Sequence, residues 1–279
     1  INNMNIKDVV MLENTRFEDV NNESESKNNE ELAKYWASLG EIYINDAFGT
    51  AHRSHASNVG IASILPSGVG FLIQKEIEEI NGALNNPKRP LVILLGGLKV
   101  ADKLGVIENA AKVADTLLIG GGMSYTFFKS FGYDVGLSVV DDASIDFCKR
   151  VYEENKNKIK LPSDMIIGKS ISEDTDSRLT TPDKIDKNEM GLDIGTKTIN
   201  DYKKILMEAK TIIWCGPVGV FELNKFSQGT RKITETLSNS KAKIIIGGGD
   251  TAAAVNKFGF NNRNAHISTG GGASLEMLE

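Results

Sequence analysis

Lys99 and Lys103 follow the pair Gly96-Gly97, and Asp250-Thr251 follows the triplet Gly247-Gly248-Gly249. A flexible ammonium just past a glycine turn reaches a phosphate oxygen. Lys103, four residues after Lys99, falls on the same face of a helix begun there. A carboxylate at a helix start is most simply an N-cap, whereas the hydroxyl and backbone N–H of Thr251 are donors to phosphate. Other spacings do not hold up as chemistry. Gly168-Lys169-Ser170 imitates the end of a P-loop, but Ser163 stands where the leading glycine belongs. A dinucleotide fingerprint is absent. His52 and His55 lack a third ligand nearby, and Cys215 lacks a base.

The elements that must position these groups are legible from the glycines. Five short apolar runs end in glycine: 90–95 before Gly96, 116–119 before Gly120, 211–215 before Gly216, 243–246 before Gly247 and 266–269 before Gly270. Unbroken runs of this length suit strands buried on both faces of a parallel sheet. Between them, 99–113, 145–155 and 225–238 read as amphipathic helices. This predicts a doubly wound α/β fold with a three-layer, Rossmann-like parallel sheet and right-handed crossovers. The glycines then share the carboxyl edge, where such sheets bind ligands and helix N-termini favour phosphate. One glycine turn is most often only a turn; five on one edge indicate a site.

Upstream, 6–17 reads as a strand, 18–30 as a polar loop, 31–39 as a helix, 41–45 as a strand and 70–84 as one amphipathic helix. The expected organisation is part of an α/β domain over 1–69, a connecting helix and turn over 70–89 and a full α/β domain over 90–279. The 279 residues, 41% hydrophobic and 25% charged, exclude a largely disordered chain. Glycine, 27 residues, exceeds the typical ~7%. The net charge of −5 disfavours nucleic acid but leaves room for an anionic small ligand. Two cysteines fit a reducing cytoplasm, and no apolar run is long enough for a membrane span.

Several stretches resemble the phosphoglycerate kinase family, in the family's order. They are Leu12-Glu13-Asn14-Thr15-Arg16-Phe17, the stretch 45–57 (NDAFGTAHRSHAS), 96–103 (GGLKVADK), 216–222 (GPVGVFE), 247–253 (GGGDTAA) and 266–274 (HISTGGGAS). The resemblance covers essentially the whole chain. It implies two Rossmann-like domains joined by a hinge helix, and phosphoryl transfer from 1,3-bisphosphoglycerate to MgADP, giving 3-phosphoglycerate and MgATP. By it, this chain holds the end of the glycerate domain, the hinge and nearly all of the nucleotide domain, and by itself is expected not to turn over. The alternative is a non-catalytic adenine-nucleotide-binding module.

The same resemblance implies roles residue by residue. Lys99, with Gly271 and Gly272, would stabilise the transferring phosphoryl group. Lys103, Gly97, Gly248, Gly249 and Thr251 would hold nucleotide phosphates, and Asp250 the nucleotide-bound Mg²⁺. Gly121, Gly122, Gly191, Leu192, Pro217 and Val220 would line the adenine slot, and Glu222 would accept from the ribose. Arg16 and Arg53 would grip the glycerate. Cys215 stands where the family has asparagine, Leu98 where it has alanine or serine, and Thr196 where it has proline. The partners implied are small molecules, with neither nucleic acid nor membrane, and the expected state is a cytoplasmic monomer.

Overall fold

A computed structural model describes residues 4–98 and 100–279. They divide into two compact units, Ile1–Glu78 and Glu79–Glu279.

In the first unit, α1 (Glu30–Ala37) is capped by Asn29, whose side chain accepts from the Leu32 N–H at 3.0 Å. Strands β1 (Tyr43–Asn45) and β2 (Ser67–Val69) pair in parallel. Helix α2 (Phe71–Asn85) follows, as its sequence pattern predicts, and the division between the units falls inside it at Glu78/Glu79. The predicted strand over 6–17 does not form: the segment is irregular and ends in a 3₁₀ turn, Thr15–Asp19. A strand exists through its neighbours' hydrogen bonds, and no described strand pairs with this one. Its apolar residues stay in water, Ile6 94% and Met11 94% exposed.

The second unit is built on one parallel sheet. Its strands are β3 (Leu91–Leu95), β4 (Thr116–Ile119), β5 (Ile159–Lys160), β9 (Thr211–Cys215), β10 (Lys243–Gly247) and β11 (Ala265–Ile267). The spatial order is β11-β10-β9-β3-β4-β5, every pairing parallel. The intervening strands β6 (Met165–Gly168), β7 (Ser177–Thr180) and β8 (Met190–Ile194) form a separate antiparallel sheet, ordered β7-β6-β8.

Helices lie between the strands, namely α3 (Leu104–Val113), α4 (Met123–Ser130), α5 (Ile145–Glu154), α6 (Thr196–Glu208), α7 (Gln228–Ser238) and α8 (Gly249–Lys257), and the short α9 (Gly272–Glu276) follows β11. Alternate residues along the strands explain the layering. Val92, Leu94, Ile212, Trp214, Ile244 and Ile246 pack with Tyr202 and Leu206 of α6 and Ile233 and Leu237 of α7. The intervening Ile93, Leu95, Ile213 and Ile245 are equally buried, so both faces are covered and the runs read as unbroken apolar sequence.

Two helix starts depart from expectation. The helix predicted over 225–238 begins at Gln228, after a 3₁₀ turn Asn224–Phe226. The helix predicted over 99–113 begins only at Leu104, after a 3₁₀ turn Ala101–Lys103 with no side-chain cap. Lys103 (φ −140°, ψ 20°) therefore stands outside the α-helix, and the helical-face argument for it does not apply. Lys99 lies outside the described residues.

Candidate functional site

From β3 the chain winds outward to β4 on one side, and later through β9, β10 and β11 on the other. The pair β3/β9 is thus the topological switch point, where a crevice is forced open at the carboxyl edge. Here the two backbones nearly touch. The Gly96 N–H donates to the Cys215 carbonyl and the Gly97 N–H to the Pro217 carbonyl, each at 2.8 Å. Gly216 has φ +96°, and a Cβ on it would overlap the Gly96 carbonyl, so both its conformation and its surroundings require glycine.

All five glycine clusters end strands of this one sheet, and they surround a crevice of about 720 Å³. Lining it are Gly97, Lys103, Gly121, Gly122, Gly191, Leu192, Pro217, Val220, Glu222, Gly248, Gly249, Asp250, Thr251, Gly271 and Gly272. The site residues expected in this unit therefore share one cavity, apart from Lys99, which is not described.

Helix α8 supplies the polar floor. Its N-cap is Gly248, without a side-chain cap, and its first helical bond runs from the Ala252 N–H to the Gly248 carbonyl, 3.0 Å. The N–H groups ahead of that bond have no intrahelical acceptor. Asp250 is the second helical residue and not the cap, so its exposed carboxylate is not spent on the backbone. The Thr251 hydroxyl accepts from the Gly216 N–H at 2.7 Å and keeps its own hydrogen to donate. Helix α4 is different: the Met123 N–H donates to the Gly97 carbonyl at 3.0 Å.

The opposite wall is the loop 216–222, held from several elements. Gly121 N–H donates to the Val218 carbonyl at 3.2 Å, Val218 N–H to Thr230 Oγ1 at 3.2 Å, and Val220 N–H to the Leu192 carbonyl at 2.8 Å. Lys257 Nζ donates to the carbonyls of Phe221 and Glu222, both at 2.9 Å. Leu98, 62% exposed, projects into the crevice beside Gly122. Cys215 is buried, and burial pushes its thiol up to about 12, although Lys103 pulls the other way.

Sequence reasoning missed the buried acids, among them Asp193, Asp164 and Glu25. Asp193 lies under the loop and accepts from the N–H groups of Ile194 (2.9 Å) and Gly229 (2.8 Å). Asp164 caps α6 from a distance, accepting from Lys197 N–H at 2.9 Å and Thr198 N–H at 2.8 Å. Glu25, 1% exposed in the first unit, accepts from the Ser57 N–H at 3.0 Å and from the Ser57 hydroxyl, with His55 Nδ1 3.6 Å away. Glu25 stands in a polar stretch and looks solvated, whereas Asp193 is flanked by the apolar Leu192 and Ile194, the one local signal of a buried acid among these three.

In the first unit Arg16 pairs with Asp19 at 2.6 Å, and Arg53 is exposed just after the 3₁₀ turn Phe48–Thr50. Among the described residues no group of three or more His, Cys, Asp or Glu side chains is placed to hold a metal.

A parallel sheet with a glycine-walled crevice at its switch point, and a helix start opening into it, defines an open α/β protein with its candidate site at the carboxyl edge of the sheet. The phosphoglycerate kinase family model matches residues 1–279. The phosphoglycerate kinase of Enterococcus faecalis is 53% identical over 281 residues, covering 100% of this chain and 71% of its own length. That of Fusobacterium nucleatum is 51% identical over 283 residues, with coverages of 100% and 71%. The solved structure of phosphoglycerate kinase from Coxiella burnetii superposes with a TM-score of 0.82 at 41% identity, over 91% of this chain and 66% of that one. The chain belongs to the phosphoglycerate kinase family. It spans 71% of these curated relatives and 66% of the solved chain. Among the described residues no helix is long and apolar enough to cross a membrane.

Proposed function

We propose that the crevice binds MgADP or MgATP and that the protein transfers a phosphoryl group reversibly between 1,3-bisphosphoglycerate and ADP. The observation that carries this reading is the start of α8, where uncapped N–H groups, the Thr251 hydroxyl and the unspent Asp250 carboxylate open into one cavity. Family membership sets the reaction and does not favour the non-catalytic module.

Phosphoryl transfer passes through a loose transition state, so the protein's work is positioning and charge stabilisation. In this reading Lys103, Gly97, Gly248, Gly249 and Thr251 hold the nucleotide phosphates. Gly121, Gly122, Gly191, Leu192, Pro217 and Val220 form the base slot, and Glu222 takes the ribose. Lys99, Gly271 and Gly272 stabilise the group in transit, and Arg16 and Arg53 hold the glycerate. The residues fit Mg²⁺ arriving with the nucleotide: Asp250 offers one hard oxygen ligand, and phosphate oxygens would supply more. When bound, the ion neutralises phosphate charge.

Calorimetric titration of the chain with MgADP tests the reading. Saturable binding is expected, weakened by roughly tenfold in Asp250→Asn when Mg²⁺ is present and little changed for metal-free ADP. Absence of wild-type binding would sink it.

A further inference from the structure

Asp193 sits on β8 between Leu192, which lines the crevice, and Ile194. It is 3% exposed. Its Oδ2 accepts from the Gly229 N–H at 2.8 Å, and the Gln228 N–H also reaches the carboxylate. These are the first two residues of α7, whose own N-cap, Ser227, makes no side-chain cap bond. The carboxylate therefore caps α7 from another element. The loop 216–222 rests on the same group, since a Cβ on Gly219 would run into Asp193 Oδ1. That loop is tied to the two elements Asp193 joins, through Val220 N–H to the Leu192 carbonyl on β8 and Val218 N–H to Thr230 Oγ1 on α7.

The groups around the carboxylate leave its charge uncompensated by a cation. From α4 comes the Tyr125 hydroxyl, itself held neutral by burial. From α7 come backbone N–H groups, from the loop Gly219, and across the sheet Ile166 lies opposite in register. Glu222 and Lys257 stand at the far end of the loop, with Lys257 engaged on its carbonyls.

We infer that Asp193 is a positioning residue that fixes the loop 216–222 against β8 and α7, and that its protonation state sets how well this wall holds a nucleotide. The inference rests on the crevice being the nucleotide site. Burial raises the carboxyl to about 8 against the pull of three N–H donors. A negative ligand arriving above it favours the protonated form, so affinity falls as pH rises.

Two variants and two readouts test this. Asp193→Ala removes the acceptors: amide hydrogen exchange across 216–222 and 227–231 is expected to speed up, and MgADP binding to weaken, each by roughly tenfold. Asp193→Asn keeps an acceptor but no charge: near-wild-type affinity at about pH 7 is expected, without the wild-type loss towards about pH 9. Exchange unchanged in Asp193→Ala, or a wild-type pH slope in Asp193→Asn, would overturn the inference. If Asp193→Ala does not fold, Asp193→Asn, whose amide offers one acceptor oxygen in place of two, takes its place in the exchange readout, and unchanged exchange there overturns the inference. Should the wild type take up no MgADP, the nucleotide reading fails by itself, and the exchange readout still decides whether Asp193 holds the loop.

Discussion

Gly96 and Gly216 lie backbone against backbone at the switch point of the sheet. Neither tolerates a side chain: a Cβ on Gly96 would meet the Gly216 and Pro217 carbonyls, and one on Gly216 the Gly96 carbonyl. Gly216→Ala adds that overlap to a left-handed backbone, and should destabilise the larger unit by about 2–5 kcal/mol. Urea unfolding followed by Trp214 fluorescence measures this; a loss below about 0.5 kcal/mol would contradict the contact.

Asp193 also gives stability a pH dependence. Its folded value of about 8 lies above the ordinary ~3.9 of an unfolded aspartate. The folded state therefore binds more protons between these values. The contribution of Asp193 to stability is fullest below about pH 4, declines as pH rises through the window and levels off above about 8. Asp193→Asn should remove this decline from the unfolding free energy measured across that range.

Glu25 pins the loop before α1 to the segment around Ser57. Truncation leaves the Ser57 N–H and hydroxyl without their buried acceptor, so Glu25→Ala should cost the first unit about 2–4 kcal/mol. Proteolysis within 18–60 reads out this local loss; unchanged resistance would refute it.

Both thiols are buried, and burial raises Cys148 and Cys215 to about 12. Thiolate is the reacting form. Neither should be modified by an aromatic disulfide reagent at neutral pH in the folded protein, and both should react at once in denaturant. Prompt labelling of the folded chain would show an accessible Cys215.

Much of this architecture is written locally. Runs such as Ile244-Ile245-Ile246 before glycine announce buried strands, because covered faces remove the polar alternation of an exposed strand. The candidate site followed, since those glycines had to share an edge. What stayed hidden depends on partners far along the chain. Asp193 meets Gly229 36 residues away, and Asp164 meets Thr198 34 away. The antiparallel sheet was hidden too: β7, Ser-Arg-Leu-Thr and mostly exposed, carries no apolar run. The expected strand over 6–17 failed for the converse reason, since apolar composition proposes a strand but only a neighbour completes it.

The loop 216–222 is stitched to Gly97, Gly121, Leu192, Thr230, Thr251 and Lys257. Ordering such a wall costs conformational entropy once, when the chain folds, and not again at each encounter with a ligand. Capture by this wall should therefore be quick and nearly rigid. It should also be lost abruptly on heating, in the same cooperative step that melts the sheet, with no earlier softening of the crevice.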